Sequence, residues 1–256
     1  MERAILLADK GQNREAVQLL LQGLEKQPND VRERRLLIRL YGVLGDLGRA
    51  RDEANVLAKQ LGAASPLPWL DLGHAHELCH RYDEALQFYD HAAAVAPLNP
   101  AGPKTGGMRA ATWGEAELAE PRLAEAVRRD VRDARSFHAL GVVRIKLGDL
   151  EGAERAYRAG VASDPRGLDN HIGLATLALL SGDAARVLSE YDTILQLYPK
   201  FADAELGRVW ALVKLGRLTE AERALDRAAT LGASKAALGR QRAWLAGERA
   251  KSAGTR

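Results

Sequence analysis

Glycine recurs in this chain at a fixed interval. Gly11, Gly45, Gly114, Gly148, Gly182 and Gly216 are separated by 34, 69, 34, 34 and 34 residues, so the long gap holds one more period with a single inserted residue. A small residue follows five places after each, at Ala16, Ala50, Ala119, Ala153, Val187 and Ala221. The hidden period supplies Ala85, which puts His80 at the glycine place. Pro28, Pro97, Pro165 and Pro199 keep the same spacing. Self-similarity of this length is the mark of a stacked repeat array, in which each unit buries its apolar face only against its neighbours.

Within a period the apolar and small residues recur at helical spacing, as at Phe137, Leu140 and Gly141 and again at Ala153, Tyr157 and Gly160. The pattern predicts two antiparallel helices per unit. The glycine ends the first by taking a left-handed conformation, each proline closes the second, and the small residue lets the pair approach closely.

The unit Ala134–Gly167 carries Phe137, Leu140, Gly141, Gly148, Ala153, Tyr157, Gly160 and Pro165 at positions that resemble the signature of the tetratricopeptide repeat (TPR) family. The unit Pro66–Asn99 does the same with Trp69, Leu72, Gly73, Tyr82, Ala85, Tyr89, Ala92 and Pro97. The resemblance implies an all-α, right-handed superhelical solenoid of about seven helix-turn-helix units forming a single array over 1–256. The units start near residues 1, 31, 66, 100, 134, 168 and 202, covering 1–30, 31–65, 66–99, 100–133, 134–167, 168–201 and 202–234. A capping helix is expected over 235–252, with Ala237, Leu238, Trp244 and Leu245 facing inward.

Some units depart from the pattern. Gly62 stands at the second unit's closing proline, and His171 and Glu205 replace the usual aromatic in the sixth and seventh. The fourth unit is degenerate: Gly102, Gly106, Gly107 and Pro103 fall where its first helix belongs, and each interior glycine costs about 1 kcal/mol of helix propensity. A weak helix and a loose joint are expected there. The first unit lacks its first three positions by phase, which raises the expectation of a start further upstream and of a removed leader. That would make a periplasmic location follow, whereas the chain as given reads as cytoplasmic.

Charge narrows the partner class. With 37 basic and 34 acidic residues the net charge is only +3, and aromatic residues make up 5% of the chain, so neither the excess of charge nor the stacking platform of a nucleic-acid binder is present. No apolar run reaches the ~18 residues of a membrane span. The single cysteine, Cys79, excludes an intrachain disulfide.

One motif raises the question of catalysis. His76-Glu77-Leu78-Cys79-His80 reads as H-E-x-x-H, the pattern in which two histidines on one helix face hold zinc and the glutamate activates its water. In repeat coordinates, however, His76 belongs to the packing between helices and His80 to the turn, which separates their roles. Cys79 lacks any accompanying oxyanion-hole pattern and reads as a packed thiol. Gly102–Gly107 lacks the G-K-[ST] order of a phosphate loop. The reading is therefore a non-enzyme without metal or cofactor.

What the TPR resemblance implies instead is a concave groove lined by the first helix of each unit, receiving a peptide or helix of another protein. Carried over by position, that groove holds Arg32, Arg35 and Arg39; then Leu67, Leu70, His74 and Glu77; Lys104 and Met108; Arg135, His138 and Val142; Ile172, Thr176 and Leu179; and Leu206, Trp210 and Val213. Its basic end would suit an acidic segment, through the planar fork of arginine. The function expected is a protein interaction scaffold or adaptor. Two alternatives stand beside it: a periplasmic or lipid-anchored assembly factor for a pilus, secretion or polysaccharide-export machine, and a regulatory module of a larger transferase.

Overall fold

The computed structural model describes residues 1–254, and among them it contains fifteen α-helices and no strand. The helices group into two compact units, Met1–Val131 and Arg132 onward, where the sequence suggests one uninterrupted array. The first unit comprises α1 (Glu2–Asp9), α2 (Asn13–Lys26), α3 (Val31–Val43), α4 (Leu47–Leu61), α5 (Leu67–Leu78), α6 (Tyr82–Val95), α7 (Ala101–Trp113) and α8 (Ala116–Arg129). The second comprises α9 (Ala134–Lys146), α10 (Leu150–Ser163), α11 (Leu168–Leu180), α12 (Ala184–Leu197), α13 (Ala202–Lys214), α14 (Leu218–Thr230) and α15 (Lys235–Gly254). Within each unit every helix packs on the one before it, and α3 also lies against α5, α9 against α11 and α13 against α15. Odd-numbered helices through α13 are thus the first members of hairpins and even-numbered ones the second.

Local chemistry sets these boundaries. Gly45 takes φ +75°, ending the first helix of its hairpin, and Asp46 immediately caps the next by accepting from the Arg49 amide at 3.1 Å. Asp149 and Asp183 repeat the arrangement, accepting from Gly152 and Arg186 amides at 2.8 and 3.0 Å. In the third hairpin His80 occupies the glycine place and adopts φ +58°, alone in this region among non-glycine described residues. A left-handed residue with a Cβ costs roughly 1–2 kcal/mol. Pro28, Pro97, Pro165 and Pro199 each lie just beyond the end of a second helix, where the missing N–H and rigid ring prevent further turns.

The core is held at close quarters by tyrosine rings lying on glycines. Tyr89 and Tyr157 are each 1% exposed. A Cβ on Gly73 would lie 2.6 Å from the Tyr89 ring, one on Gly173 would lie 2.5 Å from the ring of Tyr157, and one on Gly141 would run into that same ring. Burial raises the Tyr157 phenol to about 12. At the unusual aromatic positions the polar side chains are buried and make polar contacts. His171 Nε2 lies 3.1 Å from the Pro165 carbonyl oxygen, and the Glu205 carboxylate meets Arg208 at 3.0 Å and Arg227 at 2.9 Å. Finally, α15 covers the end of the second unit with buried Leu238 and Leu245 and half-buried Trp244.

The first helix of the fourth hairpin, expected to be weak, is formed in full. Helix α7 runs unbroken from Ala101 to Trp113, with Gly102, Pro103, Gly106 and Gly107 all buried. Its glycines are sites of contact: a Cβ on Gly102 would meet the Ala93 Cα at 2.7 Å, and one on Gly107 the Leu123 side chain at 2.7 Å. Propensity loses to packing because α7 lies against both α6 and α8, and that burial offsets what three glycines cost. Gly102→Ala therefore separates the two effects. Helix propensity alone would gain about 1 kcal/mol, but overpacking against α6 backbone is expected to lower unfolding free energy by roughly 1–3 kcal/mol, read from the denaturation midpoint.

Candidate partner-binding faces

In the first unit the helices α3, α5 and α7 carry two clusters of charges. Asp71 on α5 is 1% exposed, and its carboxylate accepts from Arg35 Nε at 2.5 Å and NH2 at 3.3 Å. It also accepts from Arg39 Nε and NH2, at 2.9 and 2.7 Å. Six residues further along α5, Glu77 Oε2 accepts from the Tyr89 hydroxyl at 3.1 Å, lies 3.2 Å from Arg109 Nε on α7 and 3.4 Å from His74 Nδ1. The nearby carboxylate and burial push the Tyr89 phenol well above its ordinary value, burial being the larger cause.

Arg35 and Arg39, expected to line the groove, are thus partly engaged within the chain. Each already spends two N–H groups on Asp71, although the side chains stay 32% and 46% exposed. Arg32, by contrast, is exposed and has no ion-pair partner among the described residues. Two guanidinium groups facing one carboxylate leave the pair positive, and the buried acid fixes their orientation. Leu67, Leu70, His74 and Glu77 on α5 and Lys104 and Met108 on α7 are all half-buried. Sequence reasoning missed Asp71 and Arg109. Repeat phase could have found both, since Asp71 lies 36 residues from Arg35 and 32 from Arg39, about one period on, where neighbouring first helices meet.

The corresponding helices of the second unit place more apolar side chains at these positions. Arg135 is exposed and the His138 ring lies 5.8 Å from that of Tyr157. Val142 packs on the cluster of Ala153, Tyr157, Leu174 and Leu177. Ile172 is half-buried, and the Thr176 hydroxyl donates to its carbonyl oxygen at 2.9 Å. Leu179, Leu206 and Trp210 are half-buried against the core containing Val209 and Leu212. Val213, expected in the groove, is instead buried: at 7% exposure it belongs to that core, drawn inward where α13 meets α14 and α15.

The H-E-x-x-H residues are parted by the end of the helix. Helix α5 stops at Leu78, so His76 is buried against Phe88, ring centroids 4.8 Å apart, while His80 stands in the exposed turn with Nδ1 3.0 Å from the Tyr82 hydroxyl. Glu77 is occupied by Tyr89 and Arg109. The Cys79 thiol donates to the Gly42 carbonyl oxygen at 3.2 Å, between α5 and α3. Among the described residues no three His, Cys, Asp or Glu side chains gather as a metal site, and no helix is long and apolar enough to cross a membrane.

The hairpin geometry agrees with family comparisons, in which tetratricopeptide repeat descriptions match residues 69–101, 107–167, 138–200 and 178–233, together more than half of the sequence. The chain belongs to the tetratricopeptide repeat family. Among solved TPR structures, the C-terminal part of a repeat protein from Cytophaga hutchinsonii superposes with a TM-score of 0.69 at 15% identity, over 93% of this chain and 98% of that one. YrrB, described as a TPR protein with an unusual peptide-binding site, gives 0.60 at 17% identity over 72% and 95%. MamA gives 0.60 at 19% over 67% and 93%. These likenesses show the fold. By sequence the chain is 34% identical over 121 residues to the TPR repeat-containing thioredoxin TTL4 of Arabidopsis thaliana, 44% of this chain and 18% of that protein. It is 27% identical over 114 residues to the co-chaperone sgt12 of Aspergillus fumigatus, 43% of this chain and 33% of that protein. The matched stretches are thus a third or less of these relatives' lengths.

His76 gives a pH test of the TPR core. Neither ring nitrogen has a hydrogen-bond partner, and burial, reinforced by the positive charge of Arg81, holds its pKa below the ordinary 6.5. Above that value both folded and unfolded chains carry it neutral, so it contributes nothing to the pH dependence. As pH falls through 6.5 the unfolded chain binds the proton first, and stability drops until the folded site also titrates. His76→Leu should therefore lose less unfolding free energy than the parent between about pH 7 and pH 5, measured by chemical denaturation at each pH. Parallel curves for the two proteins would refute this assignment.

Proposed function

We propose that this TPR chain is a non-catalytic interaction scaffold in which the first helices of the hairpins receive segments of another protein. The observation that carries the reading is the arginine pair held by buried Asp71. A carboxylate sequestered from water orients two guanidinium groups whose remaining N–H groups are left for an incoming acceptor, and the exposed Arg32 adds a third cation on the same helix. An acidic segment therefore suits the first unit. The second unit offers half-buried Ile172, Leu179, Leu206 and Trp210, which suit an apolar side chain. YrrB, with the same fold, has a described peptide-binding site, and sgt12 is a co-chaperone, both in keeping with a binding role.

Asp71 also dictates the choice of variants. Replacing Arg35 and Arg39 by glutamate would put new carboxylates against a buried one, and losing a partner of a buried ion pair costs about 3–5 kcal/mol, so lost binding would be confounded with lost folding. Arg32→Glu and Trp210→Ala avoid that. Affinity capture from the native cell with the parent and each variant should yield a defined protein that the parent retains and at least one variant loses. Identical catches from all three would place binding elsewhere on the molecule.

A further inference from the structure

Two successive turns of the first unit are, like those before α2 and α14, without a capping aspartate. At the junctions of α3 with α4, α9 with α10 and α11 with α12, an aspartate spends its carboxylate on capping the second helix. At the junction of α5 with α6 the equivalent residue is Arg81, and at that of α7 with α8 it is Glu115; neither makes a side-chain cap. The Glu115 carboxylate is left exposed, as is that of Asp83 in the first turn of α6, and neither has an ion-pair partner among the described residues. Between the two turns lies an open cleft of about 680 Å³ lined by both acids, by the paired Arg81 and Glu84, and by Tyr82 and Trp113. The two aromatic rings lean on each other, with centroids 4.5 Å apart and planes at 36°. His80 braces the outer ring, its Nδ1 3.0 Å from the Tyr82 hydroxyl.

Acidic groups at the start of a helix are favoured by the partial positive charge there, so Asp83 and Glu115 alone would signify nothing beyond helix stability. The cleft and the ring pair are independent of that preference. Exposed Leu118 and Tyr82 add apolar surface beside the charges, at 41% and 39% exposure. Aromatic faces attract cations, a planar guanidinium both stacks on an indole and pairs with carboxylates, and the stem of an arginine covers apolar surface. With one cation, Arg81, against Asp83, Glu84 and Glu115, the cleft is negative.

We propose that this cleft binds an arginine side chain presented by an extended segment of a partner protein, with the guanidinium over the Tyr82–Trp113 pair and between Asp83 and Glu115. It is a second recognition surface, opposite in charge to the arginine-bearing face of α3 and independent of the role proposed for that face.

The test uses the full chain labelled with ¹⁵N and a short capped peptide, acetyl-Gly-Arg-Gly-Arg-Gly-amide, beside the same peptide with citrulline at both arginines. Citrulline keeps the shape and removes the charge. The reporter is the Trp113 indole N–H signal, assigned by its loss in Trp113→Phe. The arginine peptide is expected to shift it saturably at millimolar concentration and the citrulline peptide to leave it in place. Asp83→Asn/Glu115→Gln, which swaps two exposed carboxylates for amides of the same shape, should weaken binding by about fivefold or more. Arg32→Glu should leave the titration unchanged. An equal shift from the citrulline peptide, no saturable shift, or an unchanged affinity in the double variant would each overturn the proposal.

Discussion

Everything in the second unit is organised by how closely a tyrosine ring lies on bare backbone. Tyr157 projects from the second helix of its hairpin and meets Gly141 on the first helix of the same hairpin and Gly173 on the first helix of the next. No methyl group fits at either place. A single ring thereby sets two distances at once: the separation of the helices within a repeat and the spacing between repeats. Interiors packed at crystal-like density transmit such constraints, so the positions of the side chains on α9 and α11 are fixed from beneath. Tyr89 with Gly73, and Tyr191 with Gly207, show the same principle with one glycine each.

The sequence carried a great deal of this because a repeat states its geometry many times. Gly45 and Gly148, one residue before a capping aspartate, declare a helix end followed by a helix start, and His80 could be assigned to the same place by counting although its side chain gives no hint of a left-handed residue. Two kinds of information were harder to read. Helix propensity misjudged α7, because Gly102 and Gly107 look like breakers until the neighbouring helix backbones are known. Charge on a helix face did not show that Arg35 and Arg39 are held in place, because their partner Asp71 lies about one repeat away along the chain and only stacking brings it near. Val213 was misplaced for the related reason that the last repeat meets a capping helix rather than another hairpin.

The first unit shows how a face can be both charged and ordered. Long arginine side chains lose conformational freedom when they bind, and a surface that must order them at the moment of contact gains little. Here a carboxylate already shielded from water holds two of them, so that cost has been met during folding. The arrangement has its own demand: Asp71 needs both α3 and α5 in place to be satisfied, and its desolvated charge would be costly if either guanidinium were drawn far away. Orientation of the surface and integrity of the stack are one requirement.

The two-sided contact of Tyr157 also limits how an array like this can grow. If the repeat Ala134–Gly167 were copied in tandem, the residue arriving in the place of Gly173 would be the counterpart of Ala139, 34 positions earlier, whose methyl group would fall on the phenol ring. The repeat that starts near 202, which contributes Gly207 against Tyr191, could follow Ala134–Gly167 with its glycine in register. Neighbouring repeats are therefore matched pairs, and shuffling them freely would break the fit even though each resembles the others in sequence. A lineage that lengthened such a chain by duplication would have to move tyrosine and its following glycine together.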